Sequence, residues 1–247
     1  MTPTRIIAYA HADKNDLAVA SCDKDVSNLL LRFERMGIPI HSHANAITLP
    51  PFTTRGQFRA DMRHAADEAR RDLGVTIIIY SGHGGRLPDD NGDEPHGWSE
   101  RGYDSTLCFS DGQMRDDEVG ELLALFPSTE WVYFIVDACH SGSMYRSAPR
   151  PVYRGFLFRR AEKIQCRLGY YGGCQDKGYS IGLTSGGAAT LDLCEVLDMD
   201  LDASTATVFD AARALTLERG HNQKPTIVFQ NDAGALMQHA PAFRRTA

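Results

Sequence analysis

Two apolar runs in this 247-residue chain end in residues that can make and break an acyl bond. Residues 75–80 (Val-Thr-Ile-Ile-Ile-Tyr) lead into Ser81-Gly82-His83-Gly84-Gly85. Residues 131–136 (Trp-Val-Tyr-Phe-Ile-Val) lead into Asp137-Ala138-Cys139-His140-Ser141-Gly142. A cysteine attacks as its thiolate, and a nearby imidazole both lowers the thiol pKa and later protonates the leaving group. The flanking glycines permit tight turns and leave backbone N–H groups for a developing oxyanion. A lone His or Cys at a strand end is commonly structural, and cysteine is among the most buried residues. The two together, each in a Gly-flanked turn after an apolar strand, point to a nucleophile and its base. His140 adjoins the nucleophile in sequence, so its side chain should point elsewhere. A zinc hydrolase using Cys22, His83 and Cys139 is the competing chemistry. It lacks any paired ligand spacing: the six cysteines (22, 108, 139, 166, 174 and 194) form no C-x-x-C motif.

Val- and Ile-rich runs alternate with amphipathic helical patterns, the signature of an α/β chain with a mostly parallel sheet. Side chains just beyond the carboxyl ends of such strands face one crevice. His83 and Cys139 can therefore meet although 56 residues separate them. The pattern predicts strands at 5–10, 38–41, 75–80, 131–136, near 179–184 and at 225–229. Helices are predicted at 24–36 (stopped by Gly37), 57–73 (closed by Gly74), 116–125 and 205–219. The expected architecture is a central sheet of about six strands with helices on both faces.

Composition narrows the function classes. The chain is 43% hydrophobic and 23% charged, ordinary for a globular protein, and its net charge of −6 gives no case for nucleic acid or anionic membrane. No apolar run approaches the roughly 20 residues of a spanning helix. Asp13, Lys14 and Asp16 arrive too early for a signal peptide, so the protein reads as cytoplasmic, where a disulfide framework is not expected. Charge is uneven along the chain. Ten acidic residues face two arginines between Asp89 and Glu118; eight basic residues face two acidic between Met144 and Lys177. The basic stretch divides the chain into a large segment (1–143), a linker (144–177) and a small segment (178–247).

Ser-Gly-His-Gly at 81–84 and Asp-Ala-Cys-His-Ser-Gly at 137–142 resemble the two catalytic motifs of metacaspases and prokaryotic orthocaspases, caspase-like cysteine peptidases. Cys22-Asp23-Lys24-Asp25-Val26 is similar to the family's Gly-Cys-x-Asn-Asp-Val segment, departing from it at Ser21 and Lys24. The resemblance covers about residues 5–142 and weakens beyond, where only the element order fits. It implies a caspase-like three-layer sandwich and a cysteine endopeptidase. Cys139 would be the nucleophile, His83 the general base and acid, and the backbone N–H groups of Gly84 and Cys139 the oxyanion hole. Cleavage after Arg or Lys is implied, with an acidic S1 pocket of Cys22, Asp25, Ser81 and Asp137. Two carboxylates there would hold a guanidinium bidentately, although Asp25 alone would also suit the positive end of the first helix.

The chemistry needs no cofactor on this reading, and calcium is an implied activator. Asp116-Asp117 match the family's acidic pair, though the same residues suit a helix N-terminus, and Arg146 stands near where some members carry a further ligand. Asp89, Asn91, Asp93 and Glu100 match EF-hand loop positions, but Glu94 replaces the needed glycine. In the linker, Arg146, Arg150, Arg154, Arg159, Arg160, Lys163 and Arg167 are candidate self-cleavage sites; the alternative is a basic surface for an acidic partner. The implied partners are protein or peptide substrates with Arg or Lys at P1, with no nucleic acid and no membrane, and the resemblance implies a monomer. A catalytically weak or partner-activated regulatory module is the alternative function.

Overall fold

The computed structural model describes residues 2–11, 15–16, 19–40, 46–48, 53–89, 102–145, 163–175, 178–221 and 223–244. In chain order the elements are β1 (Thr4–Ala10), α1 (Cys22–Arg35), β2 (Ala46–Thr48), α2 (Arg55–Arg71), β3 (Val75–Ser81), β4 (Gly84–Pro88), β5 (Tyr103–Phe109) and β6 (Gly112–Arg115). There follow α3 (Asp116–Leu123), β7 (Trp131–Asp137), β8 (Arg167–Gly172), β9 (Gly182–Leu183), β10 (Gly186–Gly187), α4 (Ala188–Met199), α5 (Thr205–Glu218), β11 (Thr226–Gln230) and α6 (Ala233–Met237).

Six strands form the main sheet in the order β11-β8-β7-β3-β1-β2. All neighbours run parallel except β11, which closes one edge antiparallel to β8. Strands buried on both faces explain the unbroken apolar runs of β3 and β7. Ile6, Ala8, Ile77, Ile79, Tyr133 and Ile135 pack on the side of α1, α4 and α5. Ile7, Tyr9, Ile78, Tyr80, Val132 and Phe134 alternate to the side of α2 and α3. The α/β class, the mostly parallel sheet and the two helical layers are therefore as the sequence implies.

Helix ends follow local chemistry. Thr54 caps α2 by accepting the Gln57 N–H (3.2 Å). At the other end of α1, Ile38 N–H donates to Phe33 O and Gly37 N–H to Glu34 O, both 2.8 Å, with Gly37 at φ +75°. That is a Schellman stop, and it needs the glycine.

Several elements differ from the pattern-based expectation. The partner of β1 is β2 at 46–48, not 38–41: residues 38–40 form no strand, Pro39 being a poor ladder member, and residue 41 lies outside the described residues. The polar stretch after His83 carries a second, antiparallel sheet, β4-β5-β6. The strand expected near 179–184 is reduced to the two-residue pair β9–β10. Within the basic segment 144–177, residues 146–162 lie outside the described residues. Its far end is β8, an interior strand of the main sheet, so Arg167 belongs to a core element.

Candidate active site

Strand register builds the site. Ala10 pairs with Ser81, and Ser81 with Asp137, so β1, β3 and β7 end at one level. His83 lies two residues beyond Ser81 and Cys139 two beyond Asp137. The turns leave the sheet side by side, and the Gly82 N–H donates to the Asp137 carbonyl (3.1 Å). His83, Cys139, Cys22, Asp25, Ser81 and Asp137 line one cavity, with Ser180 and Gly187 across from them.

Cys139 is partly exposed, and its Sγ accepts the Ser180 N–H at 3.3 Å. Burial pushes the thiol above its ordinary value; the Ser180 N–H opposes that and the Asp137 charge adds to it. The turn after Cys139 is tight: His140 takes φ +55° and donates its N–H to Gly178 O (3.1 Å). Its ring meets Tyr179 edge-on at 5.3 Å. Gly84 packs on the Cys139 peptide, and a Cβ there would collide with the Cys139 carbonyl oxygen. Cys108 N–H donates to His83 O (3.0 Å), which makes 83–108 a hydrogen-bonded pair and Gly84–Leu107 the next, non-hydrogen-bonded one. The Gly84 N–H therefore points away from β5.

His83 is fixed through its backbone as well as its ring. The Tyr80 hydroxyl sits between the carbonyls of His83 (2.9 Å) and Cys108 (2.5 Å). The ring Nε2 lies 2.7 Å from Asp16 Oδ2. Asp16 stands on the connection from β1 to α1.

Beneath the mouth lie two buried carboxylates, Asp25 at 1% exposure and Asp137 at 6%. Asp25 accepts the Ser81 hydroxyl and the Gly187 N–H, both at 2.6 Å. Asp137 accepts the Thr190 N–H (3.1 Å), the Thr190 hydroxyl (2.8 Å) and the Ser180 hydroxyl. Both thus serve the N-terminal end of α4, whose own N-cap, Gly187, brings no side chain. The glycines leave the room: a Cβ on Gly187 would strike Asp137, and one on Gly186 would strike Asp25. Among the described residues neither carboxylate has an Arg or Lys partner. Burial first, then the Asp137 charge, pushes the Asp25 carboxyl up to about 8. Burial raises Asp137 too. The pair is a carboxyl pocket whose described surroundings supply hydrogen bonds but no countercharge.

The metal expectations fare differently. Asp116 and Asp117 are buried at the start of α3. Asp116 Oδ2 accepts the Ser143 hydroxyl (2.7 Å) and its Oδ1 the Asp117 N–H (3.2 Å). The adjacent Arg115 guanidinium lies against Asp104. Among the described residues no group of three or more His, Cys, Asp or Glu side chains could hold a metal ion. The EF-hand stretch from residue 90 to 100 lies outside the described residues. Burial pushes the Cys22 thiol up to about 12, so it stands protonated in the cavity wall.

Sequence reasoning missed four residues that the fold brings here: Asp16, Ser180, Thr190 and Gln223. Gln223, fully buried, donates to Gly173 O (2.8 Å) and Ser180 Oγ (3.3 Å) and accepts the Ile181 N–H (3.1 Å). It clamps the segment that touches both Cys139 and Asp137. None of the four carries a motif, and each contact spans more than forty residues of sequence.

The family model for the caspase domain (Peptidase_C14) matches residues 6–233. The chain belongs to this caspase-domain family of cysteine-type peptidases. Metacaspase-1 from Arabidopsis thaliana is 41% identical over 73 residues, which is 28% of this chain and 18% of that protein. Metacaspase-1B from Aspergillus oryzae is 31% identical over 140 residues, 51% of this chain and 31% of the relative. The chain thus matches at most about a third of these relatives' length. A Geobacter sulfurreducens protein of known structure superposes with a TM-score of 0.65 at 23% identity, over 92% of both chains. Caspase-1 from Spodoptera frugiperda does so with 0.56 at 15% identity, over 98% of this chain and 89% of that one. At these identities the two structures speak for the fold. Among the described residues no helix is long and apolar enough to cross a membrane.

Proposed function

We propose that the protein is a cysteine endopeptidase that hydrolyses peptide bonds after Arg or Lys through Cys139 and His83. In this mechanism His83 takes the Sγ proton, and the thiolate attacks the carbonyl carbon of the scissile bond. The Gly84 and Cys139 N–H groups receive the resulting oxyanion. Collapse breaks the C–N bond, His83 gives its proton to the departing amine, and a thioester remains. Water, deprotonated by His83, then releases the carboxylate product and restores the thiol. No cofactor takes part in these steps.

The observation that carries the specificity is the buried Asp25–Asp137 pair beside Cys139 with no cation among its described partners. Two carboxylates that burial leaves under-ionised gain most from a guanidinium or ammonium arriving between them. Aspartate at P1 would instead meet like charge. Self-processing follows from the same preference. Its candidates Arg146, Arg150, Arg154, Arg159 and Arg160 lie outside the described residues, Lys163 is exposed ahead of β8, and Arg167, held in β8, is poorly placed for cleavage.

The test is turnover of matched fluorogenic peptides with Arg, Lys or Asp at P1, by wild type and Cys139→Ala, in calcium and in chelator. Cleavage after Arg or Lys that vanishes in Cys139→Ala is the expected result. Cleavage after Asp would refute the pocket, and residual activity in Cys139→Ala would refute the nucleophile. Turnover that rises in calcium and falls in chelator would support Asp116 and Asp117 as a calcium site, and equal rates would refute calcium activation.

A further inference from the structure

A cysteine–histidine dyad leaves one matter open: what holds the imidazole in the useful tautomer. A neutral ring carries one proton on two nitrogens, and only the bare nitrogen can take the thiol proton. Resting on the dyad reading, we infer that Asp16 is a positioning residue for His83. Its Oδ2 lies 2.7 Å from His83 Nε2. An ionised carboxylate only accepts, so Nε2 must be the protonated nitrogen and Nδ1 the bare one. Asp16 thereby assigns the Cys139 proton to Nδ1. When that proton moves from Sγ to Nδ1, the ring becomes an imidazolium with one donor on each nitrogen, and Asp16 stays unprotonated as its counterion.

The placement of Asp16 is built into the fold. The Asp16 carbonyl accepts the Val19 N–H (3.1 Å), and the Val19 carbonyl accepts the Cys22 N–H (3.2 Å). These turns tie the Asp16 backbone to the first residue of α1, the helix that also carries Asp25. One connection after β1 thus supplies a carboxylate to the base and, a few residues on, another to the pocket. The two differ in setting. Asp25 is buried, whereas the Asp16 and His83 side chains are 45% and 38% exposed. A half-exposed ion pair is screened, so Asp16 should matter less than a buried triad aspartate.

The test uses the full chain and the Arg-P1 peptide. Asp16→Ala and Asp16→Asn should lower kcat about tenfold, a part of the roughly 10²–10⁴ that a general base supplies. KM should stay within about threefold because the pocket is untouched, and Asp16→Glu should restore part of kcat. A second readout needs no turnover: ¹⁵N chemical shifts of the His83 ring at a pH where it is neutral. Wild type should show the Nε2–H tautomer alone, and Asp16→Ala a mixture, with the His83→Gln variant assigning the signal. Loss of kcat with a KM change of equal size, or any gain in kcat, would overturn the role, as would an unchanged tautomer. An inactive wild type would count against the dyad reading, while the ring shifts would still decide whether Asp16 orients His83.

Discussion

Replacing Asp25 by asparagine should make the protein more stable and less active, and pH should control the first effect. In the fold the Asp25 carboxyl is held at about 8, by burial and then by Asp137. In the unfolded chain it titrates near its ordinary value of about 3.9. Between those values the folded state keeps a proton that the unfolded state has released. The stability this group contributes is therefore fully present below about pH 4 and is lost as pH rises through about 8. Over the roughly 3 units from there to pH 7, at about 1.36 kcal/mol per unit, the loss approaches 4 kcal/mol. Asparagine keeps an acceptor for the Gly187 N–H and can offer its amide to Ser81 Oγ, so the change removes ionisation without orphaning a partner. Asp25→Asn should then gain on the order of 2–4 kcal/mol near pH 8, or roughly 5–15 °C in Tm for a domain of this size, and almost nothing near pH 4. Thermal unfolding of both proteins across that range is the assay. A variant less stable than wild type at pH 8, or a gain that does not depend on pH, would refute the reasoning. The same substitution should reduce kcat/KM for the Arg-P1 peptide by roughly 10²-fold, the scale of about 3 kcal/mol for a desolvated charge left unpaired.

Two further substitutions test the architecture around Cys139. Gly84→Ala should cost about 10²-fold in kcat, because the new Cβ would meet the Cys139 carbonyl and shift the oxyanion donors; near-normal turnover would show that the Gly84–Cys139 contact does not matter. Gln223→Ala should destabilise by about 1–3 kcal/mol through the Gly173 and Ile181 groups it strands. It should also lower kcat/KM about tenfold as segment 178–181 loosens; a loss of stability with kinetics intact would mean that the clamp is structural only.

The parts of this site that the sequence made legible are those carried by strand ends. Parallel strands in register put whatever follows Ser81 next to whatever follows Asp137, so two local motifs sufficed to bring His83 and Cys139 to one cavity. Less could be read where the cause is remote. Helix α4 escaped detection because its N-terminus lacks a capping side chain of its own; Asp25 and Asp137, from distant segments, bind its N–H groups. Strand β8 is disguised by two glycines within a basic segment, yet it lies inside the sheet. Sheet β4-β5-β6 is hidden by the acidic stretch that interrupts it. Asp16 had no local signal, because its contact with His83 spans 67 residues.

Affinity labelling with an arginyl chloromethyl ketone tests the central claim most directly, since it asks one reagent to find both the pocket and the nucleophile. Intact-mass analysis and peptide mapping should show one adduct, on Cys139. Labelling should be much slower in Asp25→Asn, and the aspartyl analogue should leave the protein unmodified. Labelling of any of the other five cysteines in place of Cys139, or equal reaction with the aspartyl reagent, would contradict the account.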